Sequence, residues 1–239
     1  MKKLFSVVTA CFFLTVALAQ NKIINDQNAQ VRNVRGFHSI HVANGIRLYL
    51  NQGNEEAVAV SASDPSYRNY IITEVHNGIL EIYVDKERWN WWHNLDGKKL
   101  RAYVSCKVLD ELKASSGARV EVDGSIKSDE LNLDFSSGAS FMGSVQVTKL
   151  KAGANSGAEA ELSGSATNCR VEASSGGTLK AYDLATDICD ASTSSGASLS
   201  ITVNKELSAS ASSGGQVHYK GTGLIREIST GSGGQVSKR

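Results

Sequence analysis

Proline is nearly missing from this chain of 239 residues, with Pro65 the single example, and aromatic residues make up only 7%. Glycine, by contrast, occurs 22 times. A chain so poor in rings and so rich in small residues lacks the material for one thick globular core; it suits thin, tightly stacked layers. There is no excess of charge either. The formal charge is +1, and the charges are mixed along the chain, which excludes the concentrated basic face that nucleic acids require. Long apolar runs are missing beyond the first nineteen residues, so no later stretch could span a bilayer. Catalytic signatures are missing as well. There is no GxSxG, no HExxH, no phosphate-binding loop and no dinucleotide fingerprint.

The beginning of the chain has the make-up of a secretion signal. Lys2 and Lys3 form a positive start, Leu4 to Leu18 is almost wholly apolar, and Ala17-Leu18-Ala19 supplies a small-x-small cleavage site with Gln20 as the first mature residue. Loss of the leader removes two lysines and takes the charge from +1 to −1. Val8-Thr9-Ala10-Cys11 is a loose lipoprotein signal, but Cys11 falls midway through the apolar run. Of four cysteines, Cys106, Cys169 and Cys189 lie beyond the leader, an odd number with no CxxC spacing. Neither a metal site nor a disulfide framework is expected from them. Cys169 and Cys189, twenty residues apart, are placed to stack on neighbouring layers. They would do so as a disulfide or, the preferred reading, as small buried hydrophobes.

What the sequence does have is a repeat. Ser115-Ser116-Gly117-Ala118 recurs in altered form at Gly138, Gly157, Gly176, Gly196, Gly214 and Gly233, in steps of 21, 19, 19, 20, 18 and 19 residues. Between the phrases, Ala118-Arg119-Val120-Glu121-Val122, Leu131-Asn132-Leu133-Asp134-Phe135 and Leu199-Ser200-Ile201-Thr202-Val203 alternate apolar with polar. A period of two over short runs bounded by Ser and Gly means half-buried strands and rules out a flexible Ser/Gly linker. A repeat of this length cannot bury its own apolar face and must stack on its neighbours. The fold expected is all-β: a parallel β-helix-like stack of Ser-Gly repeats about 30 Å long at the usual strand spacing. Right-handed coiling follows from the general preference of parallel crossovers. The corner glycine is expected at positive φ. A second, less regular turn is expected at Asp123-Gly124-Ser125, Gly143-Ser144 and Ser163-Gly164-Ser165.

The N-terminal half carries the same phrase once more. Phe37 to Leu50 aligns without gaps on Leu109 to Val122, which matches Ile40 with Leu112, Gly45 with Gly117 and Leu48 with Val120. Asn44-Gly45 is therefore a further corner. His76-Asn77-Gly78 joins two strands as a hairpin, and Asp64-Pro65-Ser66-Tyr67 opens a turn. The corner Asn44-Gly45-Ile46, its alternating strand, the Asn-Gly hairpin and the train of Ser-Gly repeats resemble the head GIN domain family. These are adhesin-like exported proteins common in Bacteroidetes. The usual Gly-Ile-Asn motif is altered here to Asn44-Gly45-Ile46-Arg47. The resemblance implies one β-helix-like domain over 35–239, a surface or periplasmic setting and no established activity. The organisation expected is a signal peptide at 1–19, a flexible segment at 20–34, a β-rich part at 35–108 and the repeat part at 109–239.

Few residues offer chemistry. His38 and His41 stand three apart on a strand, on opposite faces, and make no ligand pair. Glu121, Asp134, Glu159, Glu161 and Glu172 read as a solvated face rather than a catalytic groove. No cofactor or metal is called for. The unusual feature is Trp89-Asn90-Trp91-Trp92-His93, which holds all three tryptophans. Trp89, Trp91 and Trp92 either cap an open end of the stack or provide a stacking platform for sugars or a partner. The expected function is non-enzymatic: adhesion or scaffolding in the cell envelope, with surface glycans or other surface proteins as partners. The alternatives are a carbohydrate-binding or glycan-active envelope protein using the tryptophan loop, and a homo-oligomer polymerising through exposed end strands.

Overall fold

The computed structural model describes residues 26–85 and 99–239. The leader and the tryptophan loop, with Trp89, Trp91 and Trp92, lie outside the described residues. The chain forms a parallel β-solenoid built on the repeat, with a β-rich N-terminal part. The N-terminal part contains β1 (Gln30–Arg32), β2 (Ser39–Val42), β3 (Arg47–Gln52), β4 (Ala57–Ser61), β5 (Ile71–His76), β6 (Ile79–Val84), β7 (Arg101–Cys106) and β8 (Glu111–Ala114). Long strands follow: β9 (Arg119–Phe135), β10 (Ser140–Ala154), β11 (Glu159–Ala173), β12 (Thr178–Thr193) and β13 (Ser198–Ala211). The last are β14 (Gln216–Lys220), β15 (Leu224–Thr230) and β16 (Gln235–Lys238). Within the segment expected to be flexible, Gln30–Arg32 forms β1 on the edge of β4.

Each Ser-Gly phrase is a tight corner. Ser116 and Gly117 both sit at positive φ, 52° and 73°, and the Ala118 N–H donates to the Ser115 carbonyl at 3.1 Å. This is a type I′ turn, which demands left-handed backbone at both central residues. The sequence points to the glycine; the structure adds that the preceding serine shares the strained conformation in every corner from Ser116 to Ser232, with Asn44 in that place in the first. The corners are welded to one another. The Gly45 N–H donates to the Ser116 carbonyl, Gly117 to Ser137, and so on along the column to Gly214 and Ser232, at 3.0–3.1 Å. Asn44-Gly45 is thus the first rung of the same ladder, and the alignment of 37–50 on 109–122 is the actual register: Ile40 faces Leu112 and Leu48 faces Val120.

The second turn differs from expectation. Strands β9 to β13 continue through it, and the bend is absorbed as shifts of register, as between Met142 and Ser144 and between Glu161 and Ser163. Adjacent chains approach so closely there that a Cβ on Gly164 would lie 2.1 Å from the Val145 carbonyl oxygen.

Inward residues stack by type. Leu131, Leu150, Cys169, Cys189 and Leu207 form one buried column. Phe135, Ala154, Ala173, Thr193 and Ala211 form another. Cys169 and Cys189 are directly opposed, buried and free. The hydrogen bond between them and their burial push the Cys189 thiol well above its ordinary pKa. Burial likewise lifts the Cys106 thiol, to about 11, so these cysteines behave as small hydrophobes.

The N-terminal end is finished differently. Strands β6 and β7 lie parallel to β2 and β3 and make the outermost coil. Over them run antiparallel strands, β5 on β6 and β4 on β7. The hairpin predicted at Asn77-Gly78 joins β5 to β6, and at the turn expected from Asp64-Pro65-Ser66-Tyr67 the segment Pro65–Tyr70 forms a 3-10 helix capped by the Asp64 side chain. Tyr67 and Tyr70 pack against the core here.

Candidate functional site

In the coils headed by β2 and β8 a four-residue corner joins the two strands. In the outermost coil the connection from β6 to β7 is instead the segment 86–98. Its flanks, Asp85 and Lys99, therefore bracket the place where the corner ladder would continue past Asn44. The residues on either side of that place form two polar faces.

On the side of β6, β2 and β8, Glu81, His41, Lys113 and Asp134 stand in register on successive strands. With Tyr83, Ser115 and Ser136 they line a shallow depression of about 290 Å³. The Glu111 carboxylate organises this face. It receives His41 Nε2 at 2.7 Å, Lys113 Nζ at 3.0 Å and Asn132 Nδ2 at 3.2 Å. Partial burial would push its pKa up, but these bonds outweigh burial and hold it below the ordinary carboxylate range. The Tyr83 hydroxyl donates to Glu74 at 2.6 Å, and that bond, with some desolvation, pushes the phenol up to about 12. His38 turns the other way and pairs with Asp110 at 2.8 Å, so the two histidines serve separate carboxylates as their spacing implied.

On the side of β7, β3 and β9, Arg101, Arg47 and Arg119 are in register on three adjacent strands. Two residues along, Tyr49 and Tyr103 stack with centroids 5.3 Å apart. Like charges directly opposed on neighbouring strands repel, and carboxylates offset part of this. Asp26 lies 3.1 Å from Arg101, and Glu121 lies 3.7 Å from Arg47. Asp26 also accepts from the Tyr103 hydroxyl at 2.8 Å. Burial and that bond lift the Tyr103 phenol to about 12. Arg119 is exposed and has no carboxylate partner among the described residues. This row escaped notice in the sequence, although a signal existed: the alignment that pairs Gly45 with Gly117 also pairs Arg47 with Arg119.

The acidic residues weighed as a possible groove are dispersed. Glu121 faces Arg47 and Glu159 pairs with Lys180, while Asp134 lines the depression. Further ion pairs one repeat apart, Lys149 with Glu130 and Arg170 with Asp190, rivet neighbouring coils on the outside. Exposed pairs of this kind each add little to stability. Among the described residues no three His, Cys, Asp or Glu side chains gather as a metal cluster, and no helix is long and apolar enough to cross a membrane. The corner glycines carry no functional group; with their serines they form an exposed ridge running the length of the column.

The family described as "Putative auto-transporter adhesin, head GIN domain" matches residues 36–223. No curated protein matches the chain. Among solved structures, a protein from Bacteroides fragilis described as a "putative adhesin" superposes with a TM-score of 0.80 at 16% identity, over 88% of this chain and 96% of that one. A "putative adhesin" from Parabacteroides distasonis gives 0.69 at 17% identity, over 88% and 96%. A protein from the same species described as a "Putative lipid binding protein" gives 0.67 at 19% identity, over 90% and 98%. At such identities the likeness is one of fold.

Proposed function

Since the chain belongs to the auto-transporter adhesin head GIN domain family, we propose that it is a non-enzymatic, exported adhesin of the cell envelope that binds acidic surface glycans at the first corner of its solenoid. The observation that carries this reading is the in-register row Arg101–Arg47–Arg119 beside the stacked Tyr49 and Tyr103. Guanidinium groups match carboxylate and sulfate geometry with paired donors, and tyrosines offer flat amphipathic faces to sugar rings. The spacing of the row is set by strand pairing, so the donors are positioned before any ligand arrives and little ordering entropy opposes binding. The tryptophan segment follows Asp85 in the chain and lies outside the described residues; in this reading Trp89, Trp91 and Trp92 add stacking surface. Carboxylates engaged in ion pairs, Asp26 and Glu121 among them, support binding rather than hydrolysis.

The mature protein on a panel of neutral and acidic glycans tests the proposal. Retention of uronic or sulfated glycans is expected, with Arg119→Glu and Trp91→Ala each weakening it roughly tenfold or more, the scale of one lost charge-assisted contact. Binding that is blind to both substitutions, or release of free sugar from any glycan, would sink it.

A further inference from the structure

The two ends of the solenoid are not alike. At the N-terminal end β4, β5 and the 3-10 helix cover the apolar interior; Val58, Val60 and Ile71 are all buried there. At the other end nothing among the described residues covers the last coil. Among the described residues β15 pairs only with β13, and β16 only with β14. Their outer edges present unpaired backbone donors and acceptors. The register also shifts between Leu207 and Ser208, which leaves Arg226 as an extra residue in β15. That bulge turns both Ile225 and Ile228 toward the interior, opposite Leu207 and Ala209. Leu207 and Ala209 are 1% and 4% exposed, whereas Ile225 and Ile228 are 51% and 43% exposed. Among the described residues, the last coil therefore leaves its core open.

We propose that this open end docks on the same end of a second copy, making a closed two-fold dimer. The order Ile225-Arg226-Glu227-Ile228 is self-complementary. When β15 meets itself antiparallel about a two-fold axis, Ile225 falls opposite Ile228 of the second copy and Arg226 falls opposite Glu227 of the second copy. Pairing of edges satisfies the unpaired backbone groups that otherwise recruit strands at random. The covered N-terminal end offers no matching open core, so the contact is isologous and closes at two copies instead of growing into a filament. Arg226 reaches Glu206 of its own chain only at 3.5 Å and is 73% exposed along its side chain, which leaves it free to turn outward.

Sedimentation of the mature protein across a dilution series tests the proposal. A monomer–dimer equilibrium is expected. Ile228→Glu is expected to weaken the dimer at least tenfold while the far-ultraviolet dichroism stays unchanged. Glu227→Arg and Arg226→Glu are each expected to weaken it roughly tenfold, and the double exchange R226E/E227R to restore it, the scale of a close interfacial charge pair. These two positions are exposed, so they decide the matter even if Ile228→Glu fails to fold. A protein that stays monomeric at every concentration overturns the proposal. So does open-ended growth with concentration, or a double exchange that restores nothing. None of these outcomes bears on glycan binding at the opposite end of the column.

Discussion

The first coils and the later ones solve the same packing problem with different materials. Around β2, β3, β6 and β8 the interior is filled by Phe37, Ile40, Ile46, Leu48, Leu80, Ile82 and Leu112, all buried. From β10 onward many inward places belong to Ala152, Ala154, Ala160, Ala173, Ala181, Ala191, Ala209 and Ala211. Large side chains must interlock across a wide layer, and the N-terminal end needs them because antiparallel strands and a helical turn lie over it. The later coils touch only copies of themselves. Small residues allow close approach, and the long parallel ladders of β9 to β13, shifted in register only at the second bend, hold those coils together. The varied end also holds the two polar faces, whereas the repetitive end presents ridges of serine and riveting ion pairs. The proposed binding face lies where the repeat is least regular, because departures from the repeat bring Arg101, Arg47, Tyr103 and Tyr49 onto adjacent strands.

This contrast breaks if the two interiors respond alike to mutation. Leu112→Ala, at a fully buried site between coils, is expected to cost about 2–5 kcal/mol in urea unfolding, from lost burial and the cavity left behind. In the alanine region enlargement should hurt instead: Ala191→Leu is expected to cost about 1–3 kcal/mol by overpacking, and a neutral result would show that those coils are loosely packed. At the corners the expected effects are smaller and of opposite sign. Gly138 has φ 71° with open space where a Cβ would point, so Gly138→Ala should lower stability only by the left-handed penalty, about 1 kcal/mol. Ser137, at φ 52°, suffers that penalty already. Ser137→Asn, copying Asn44 in the first corner, should raise the melting temperature because asparagine tolerates this backbone better.

The smallest effect concerns pH. Asp26 and Glu111, both in the N-terminal part, are pushed up by burial but held below the ordinary carboxylate range on balance by their hydrogen bonds and nearby cations. A depressed folded-state pKa contributes stability that is present above the unfolded value and is lost as pH falls through the folded one. Acidification from neutrality to below pH ~4 should therefore loosen the N-terminal coils before the column. Amide exchange resolved by region would show it, and Glu111→Gln should flatten the profile. Equal loosening in both regions would remove this difference between them.

The repeat was legible because its signal is local and multiplied: a corner glycine with small neighbours, every coil, at nearly constant spacing. The first corner at Asn44-Gly45 was legible for the same reason, since the alignment of 37–50 on 109–122 is also the strand register. The Asn77-Gly78 hairpin announced itself by turn chemistry alone. The strain on Ser116 and its counterparts was not legible, because serine does not advertise left-handed backbone as glycine does. Nor was the passage of β9 to β13 through the second bend, where Gly124 and Gly164 resemble turn residues yet lie within the long strands β9 and β11.

The sequence by itself determined that there would be layers, how long each is, which residues face inward and that the N-terminal half joins the pile. These follow from periodicity, a property of neighbours along the chain. Only the tertiary structure decided which coil lies outermost, since β6 and β7 stack outside β2 and β3 although they come later in the chain. It alone put Arg101 beside Arg47, and the bulge at Arg226 that turns Ile225 and Ile228 to the same side. The reason is physical: stacking order and register are chosen by competition among edges that look nearly alike in sequence, and the choice is settled by which arrangement buries the whole core at once.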